Sequence, residues 1–209
     1  MSYDLSHMTI TDRSHEIDAR IHGTLPAGYQ KQGVLFHATA CRNPGDSSEN
    51  YLLTYHEPLS SSDQLIRRDG SIVQLIPAGG YAYHSGPAVW EGFQDGEHGL
   101  NMAYYGVEIE NTNDGREPYT HEQIVSAAAT YAYKSALHRW PTDRRMAKHY
   151  EVAIYSSANT SIKSLWGKFG RKSDPYKFPW RQFYEVLAAI RADWPIERFG
   201  IPLWLPPAL

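Results

Sequence analysis

Arg171-Lys172-Ser173-Asp174-Pro175 sets a cation and a carboxylate two residues apart in a stretch that Pro175 biases toward extended backbone. In extended chain, residues i and i+2 point to the same side, so Lys172 and Asp174 can serve one cavity. Such a pair suits a hydrolytic metal site, in which the carboxylate holds the ion and the ammonium stabilises an oxyanion. The chain has ten histidines that could complete it. His37 closes the apolar run Val34-Leu35-Phe36, and His149 lies in Lys148-His149-Tyr150-Glu151-Val152, read as a second strand or strand end. Two imidazoles and a carboxylate, His37, His149 and Asp174, are a set that zinc accepts with its fourth position open. Glu108 is a further candidate. It alternates with Val107 and Ile109 on a strand that should be central, where an unpaired charge is costly. The plainer readings are a solvated Lys-x-Asp pair, and a solvated sheet face for Glu108 and Glu110.

The surrounding pattern supplies elements that could position these groups. Residues 1–30 look irregular, with turn signals at Gly23 and Pro26-Ala27-Gly28. Gly33 to Thr39 reads as a short buried strand, and residues 47–55 as a helix stopped near Pro58. Two β-prone runs, 64–68 and 71–76, flank Asp69-Gly70, which suits a type I′ hairpin turn. Residues 77–99 are Gly-rich and aromatic and read as a long loop; Tyr104 to Asn111 is the next strand. Thr120 and Gln123 make a capping box for a helix that runs to about Trp140 and contains His121 and His138, the alternates to His149 as a ligand. Residues 156–170 form a loop or insertion, and Pro179 opens a last helix that ends before Pro195. The expected fold is mixed α/β: a single domain whose central mixed sheet is flanked by helices. An irregular extension (1–29) precedes the domain (30–194), and an apolar, proline-rich tail (195–209) follows it, with Leu203, Trp204 and Leu205 expected to dock.

Composition narrows the function classes. The chain has 209 residues and a formal net charge of -3 with no basic run, which disfavours nucleic acid as a partner. A single cysteine, Cys41, excludes an intramolecular disulfide framework and Cys-rich zinc motifs. The polar start is not a signal peptide and no apolar run spans a bilayer, so a cytoplasmic location without membrane insertion is expected. Fifteen Tyr and six Trp are compatible with a groove that stacks on sugars or peptides.

Five segments, in order, resemble the type-2 N-acetylmuramoyl-L-alanine amidases, which share their fold with peptidoglycan recognition proteins. They are Leu35-Phe36-His37-Ala38-Thr39-Ala40, Tyr83-His84-Ser85-Gly86 with Trp90-Glu91-Gly92, Gly106 to Glu110, His149-Tyr150-Glu151-Val152-Ala153, and Gly170-Arg171-Lys172-Ser173-Asp174-Pro175. The resemblance implies Zn2+ held by His37, His149 and Asp174, with water as nucleophile toward the amide between the lactyl group of N-acetylmuramic acid and L-alanine. It implies Glu108 as general base, Lys172 as oxyanion stabiliser, and His84 and Trp90 as substrate-binding residues. Two features depart from the family pattern: Lys148 stands where Gly often precedes the second histidine, and an insertion at 154–169 separates His149 from the Lys-x-Asp segment. The expected role is an endolysin that reaches the cell wall through a holin-like pore. The alternatives are a cytoplasmic amidase recycling anhydro-muropeptides and a module that binds peptidoglycan without cleaving it. Retention of Asp174, Glu108 and Lys172 argues against the last.

Overall fold

Strands appear where β-branched and aromatic residues can bury both faces, and helices where apolar residues recur every three to four positions. The computed structural model describes residues 8–41, 46–90, 93–94, 99–140 and 145–193; the expected docking of Leu203 to Leu205 lies outside them. In chain order the elements are β1 (Ile10–Asp12), β2 (His22–Thr24), β3 (Gly33–Ala38), α1 (Asp46–Leu53), β4 (Gln64–Ile66), β5 (Ile72–Gln74), β6 (Gly80–Ala82), β7 (Val89–Trp90), β8 (Phe93–Gln94), α2 (Gly99–Ala103), β9 (Tyr104–Ile109), α3 (His121–Leu137), β10 (Met146–Lys148), α4 (His149–Val152) and α5 (Trp180–Asp193).

The main sheet has the order β1-β5-β4-β9-β3-β10. Only β4 and β5 run antiparallel; the other neighbours are parallel, so the sheet is mixed as the sequence led us to expect. The strand alternation divides the core. Val34, Phe36, Val107 and Ile109 face α3 and α5, where they meet Ile124, Ala128, Tyr131 and Phe183. Leu35, Tyr104 and Ala147 face the other way, toward Leu100 and Ala103 of α2. Alanines 127, 128, 129 and 132 let α3 lie close against the sheet and α5, and Phe183 of α5 packs edge-on to Phe36 at 5.7 Å. Burying a side chain such as Phe183 contributes roughly 1.5–3 kcal/mol. His37 and Glu108 fall on the α2 side of the same strands, as period two requires.

Several local expectations change. Residues 10–12 and 22–24, read as irregular, form edge strand β1 parallel to β5 and strand β2 antiparallel to β6. The stretch 77–99, read as a loop, carries β6, β7 and β8. The β4–β5 hairpin does not use a type I′ turn: Gly70 has φ +83° but Asp69 does not share a positive φ. Instead Gly70 N–H donates to the Arg67 carbonyl and Arg67 N–H to the Ser71 carbonyl, while the Asp69 carboxylate accepts from Ser71 N–H. A type I turn followed by a left-handed glycine produces that three-residue loop. Finally, the strand before the second histidine ends at Lys148, and His149 opens the single helical turn α4. The capping box at Thr120 and Gln123 forms as read.

Candidate functional site

The carboxyl ends of the parallel strands hold the candidate groups. His37 is the next-to-last residue of β3, Glu108 the next-to-last of β9, and His149 follows β10 directly. Register places His37 beside Glu108 on neighbouring strands. Crevices at this edge of open α/β sheets are where ligands bind. A cavity of about 620 Å³ opens here, and His37, Glu108, His149, Lys172 and Asp174 all line it. Lys172 is exposed on its rim whereas Asp174 is buried, so the two share the cavity from different depths.

His37, His149 and Asp174 converge, with one ligand atom from each within 4.8 Å of the others. The Nδ1 atoms of His37 and His149 are 3.0 Å apart, and Asp174 Oδ2 lies 2.8 Å from His149 Nδ1 and 3.5 Å from His37 Nδ1. The outer nitrogens fix the tautomers. His149 Nε2 is 3.1 Å from the Ser85 carbonyl, which can only accept, so the proton sits on Nε2 and Nδ1 is bare. His84 Nε2 likewise donates to the Tyr104 carbonyl at 3.2 Å, leaving its Nδ1 to accept from His37 Nε2 at 3.1 Å. His37 Nδ1 is then bare as well. Two nitrogen lone pairs and a carboxylate oxygen aimed at one point repel unless a cation lies between them. This donor set, with outer nitrogens held by a carbonyl and a second imidazole, fits zinc.

The electrostatics agree. Burial, reinforced by His149, lowers the His37 pKa to about 4, and burial takes His84 well below its ordinary value, so His37 is neutral as a ligand must be and His84 is neutral as its Nδ1 must be to accept from His37. Glu108 goes the other way: burial and then repulsion by Asp174 push it up to about 8, with Lys172 opposing. Glu108 Oε2 is buried with no hydrogen-bond partner among the described residues. A carboxylate with no structural partner at the wall of a cavity is available to a reactant.

The structure separates the other sequence candidates. His84 lines the cavity, but both its ring nitrogens are engaged within the protein, so it supports His37 rather than offering a free hydrogen bond to a substrate. Trp90 does not line the cavity and packs against the cluster of Leu35, Ala88 and Leu100. His121 bonds to Gln182, and His138 to the Tyr105 hydroxyl; neither joins the site. Sequence reasoning missed two supports. Arg171 donates to the carbonyls of Ile154, Ser85 and Pro87, tying the segment that bears Asp174 to the loop that orients His149. Asn101 Oδ1 accepts from the backbone N–H groups of His84 and Ser85 and fixes that loop. Arg171 was visible as part of a motif, but its carbonyl partners come from distant chain; nothing in the residues around Asn101 signalled its part.

A mixed α/β sheet whose carboxyl edge brings together two histidines and a carboxylate that could hold a metal ion, beside a glutamate oxygen with no partner among the described residues, has the architecture of a hydrolytic site. The chain belongs to the N-acetylmuramoyl-L-alanine amidase family, whose profile matches residues 27–177. It is 28% identical over 128 residues to the 1,6-anhydro-N-acetylmuramyl-L-alanine amidase AmpD of Enterobacter cloacae, a match covering 61% of this chain. The chain spans 57% of the length of that relative. Among solved structures it resembles an AmpD derivative, with a TM-score of 0.59 at 22% identity over 90% of this chain and 99% of the other, a likeness of fold. It also resembles AMPDH3 of Pseudomonas aeruginosa in complex with anhydromuramic pentapeptide, with a TM-score of 0.56 at 26% identity over 78% of this chain and 62% of the other.

Proposed function

We propose that the protein is a zinc-dependent N-acetylmuramoyl-L-alanine amidase that hydrolyses the amide between the lactyl group of N-acetylmuramic acid and L-alanine. The observation that carries this reading is the convergence of His37 Nδ1, His149 Nδ1 and Asp174 Oδ2 beside Glu108, in a chain of the amidase family. These three residues would hold the ion, which supplies Lewis acidity to water and to the scissile carbonyl. Glu108, once ionised, takes a proton from the attacking water and returns it to the leaving amine. Its unpaired Oε2 suits that exchange, because no structural hydrogen bond has to be broken first. Lys172 lines the same cavity from its rim, and its ammonium would stabilise the negative charge that develops on the carbonyl oxygen. His84 acts through His37, holding its ring and tautomer.

Mass spectrometry of digested muropeptides tests the reaction. Stem peptides with a free L-alanine amine are expected with zinc present and not after chelation. New reducing sugar ends would overturn the amidase reading.

The polymeric wall is the favoured substrate, as an endolysin role requires. The insertion after His149 is an ordered loop, joined by the bridges Ile154–Phe169 and Tyr155–Trp166. It leaves Ile162, Trp166 and Phe169 exposed by 55%, 44% and 58%. Residues 156–173 contain Lys163, Lys168, Arg171 and Lys172 and no acid, in a chain of net charge -3. Arg171 and Lys172 at the end of that segment line the cavity, and a run of exposed aromatic and basic side chains leading into them suits a polyanionic glycopeptide larger than one muropeptide. The similarity to a protein named for 1,6-anhydro-N-acetylmuramyl-L-alanine supports the second reading, a recycling amidase acting on soluble fragments. Comparing turnover of intact sacculi and soluble anhydro-muropeptide decides between them: a large preference for the fragment would overturn the endolysin reading.

A further inference from the structure

A second polar cluster lies at the opposite, amino edge of the same strands. Lys31, just before β3, is buried and its Nζ is 2.5 Å from Asp63 Oδ1, just before β4. The same ammonium lies 3.3 Å from the Tyr104 carbonyl, at the start of β9. Asp63 Oδ2 accepts from Gly106 N–H at 2.8 Å, and the Gly106 carbonyl accepts from Asp63 N–H and from the Ser62 hydroxyl. The ion pair and its neighbours therefore grip residues 104–106 from outside.

That short segment is the seat of His84. The Tyr104 carbonyl that receives Lys31 also accepts from His84 Nε2. Gly106 forms the floor: a Cβ there would stand 2.5 Å from His84 Cγ, a contact that no side chain permits, so the ring rests on the space the glycine leaves. Hydrogen bonds thus run without a break from Asp63 through Lys31, the Tyr104 carbonyl and His84 to His37. A buried ion pair by itself rarely stabilises a fold more than apolar side chains of similar size would. Its geometry here gives it a different use.

We infer that Lys31 and Asp63 are positioning residues for the metal site: they hold the Tyr104 carbonyl and Gly106 so that His84 keeps the His37 ring oriented with Nδ1 bare. This rests on the zinc reading above. Partners of metal-ligating histidines typically account for 10–100-fold in metal affinity. The pair acts one step further out, so about 10-fold is expected.

The test measures zinc affinity of the full chain by competition with a chelator, together with thermal stability of the zinc-free protein, for wild type, Lys31→Met, Lys31→Arg, Asp63→Asn and Gly106→Ala. Gly106→Ala displaces the His84 ring without touching a charge and so remains informative where loss of the ion pair prevents folding. We expect about 10-fold weaker zinc binding in Lys31→Met, Asp63→Asn and Gly106→Ala, with recovery in Lys31→Arg. Nitrogen NMR of the zinc-free protein should show the Nε2-protonated tautomer of His37 populated less in the weakened variants. Lower melting temperatures with wild-type zinc affinity and an unchanged His37 signal would make the pair merely structural and overturn the inference. Failure of the wild type to bind zinc would overturn the zinc reading and, with it, this inference.

Discussion

The two edges of the sheet both bury ionisable groups, and they satisfy them differently. At the amino edge Lys31 faces Asp63, Lys134 sits 3.7 Å over the Tyr105 ring, and the Tyr105 hydroxyl meets His138. Each charge there has a partner. At the carboxyl edge two bare imidazole nitrogens face a carboxylate, and Glu108 Oε2 has no partner. Burial is comparable, since His37, His149, Asp174, Lys31 and Asp63 are all at most 7% exposed. The contrast teaches that burial of a charge does not mark a site; unsatisfied burial, open to a cavity, does. Position on the strand decides which edge can be open, because the loops that follow β3, β9 and β10 frame a crevice.

Substitutions at the carboxyl edge should abolish activity and spare or even raise stability. Asp174→Ala has the largest expected effect: zinc binding and sacculus lysis both fall to background in a chelator-competition and turbidity assay. Wild-type lysis by that variant would place the metal elsewhere. Glu108→Gln should retain zinc and lose about 10²–10⁴-fold in kcat.

The pH dependence of the same residue sharpens the contrast. Glu108 has an ordinary pKa of 4.5, raised to about 8 in the folded protein. Between those values the unfolded chain ionises while the folded protein must retain the proton, so the residue costs stability as pH rises from about 4.5 to 8. Thermal unfolding of the zinc-free protein at pH 8 should therefore show Glu108→Gln more stable than wild type, with the difference vanishing below pH 4.5. A cation bound between His37, His149 and Asp174 favours the ionised carboxylate, so the rise of kcat/KM with pH should be centred below 8 in the zinc enzyme.

Lys172→Ala comes next, with a loss of about 10²–10³-fold in kcat and unchanged zinc affinity and melting temperature. Equal losses in zinc affinity would merge its role with that of Asp174. The smallest structural effect is expected at the exposed insertion. Trp166→Ala should change stability by no more than about 0.5 kcal/mol, and lower turnover of sacculi but not of soluble muropeptide. Equal turnover of both substrates relative to wild type would remove the insertion from polymer recognition.

Much of the scaffold was legible because local chemistry fixes it. The Thr120–Gln123 box starts α3, and alternation of Val107 and Ile109 with Glu108 places that carboxylate on one face of β9. The hairpin was legible but its turn type was not: Asp69 uses its side chain on Ser71 instead of adopting a positive φ. Glu110 looked solvated beside Glu108, yet it is buried, because its carboxylate accepts from Arg68 N–H in the neighbouring loop. Trp90 looked like a groove residue, yet it packs against a cluster that draws Leu35, Ala147 and Val152 from distant parts of the chain.

The sequence by itself determined which residue types could form a metal site, the strand ends that carry His37 and Glu108, and the order of motifs that mark the amidase family. Only the tertiary structure decided that His149 and not His121 or His138 meets His37, that the His84 ring bonds to His37 and the Tyr104 carbonyl, and that a buried ion pair at one edge is linked by hydrogen bonds to the site at the other. The reason is range. Caps, turns and alternation are set by neighbours a few residues apart, whereas His37, His84, His149 and Asp174 come from four separate segments, and their 3 Å contacts exist only once β3, β9 and β10 lie side by side.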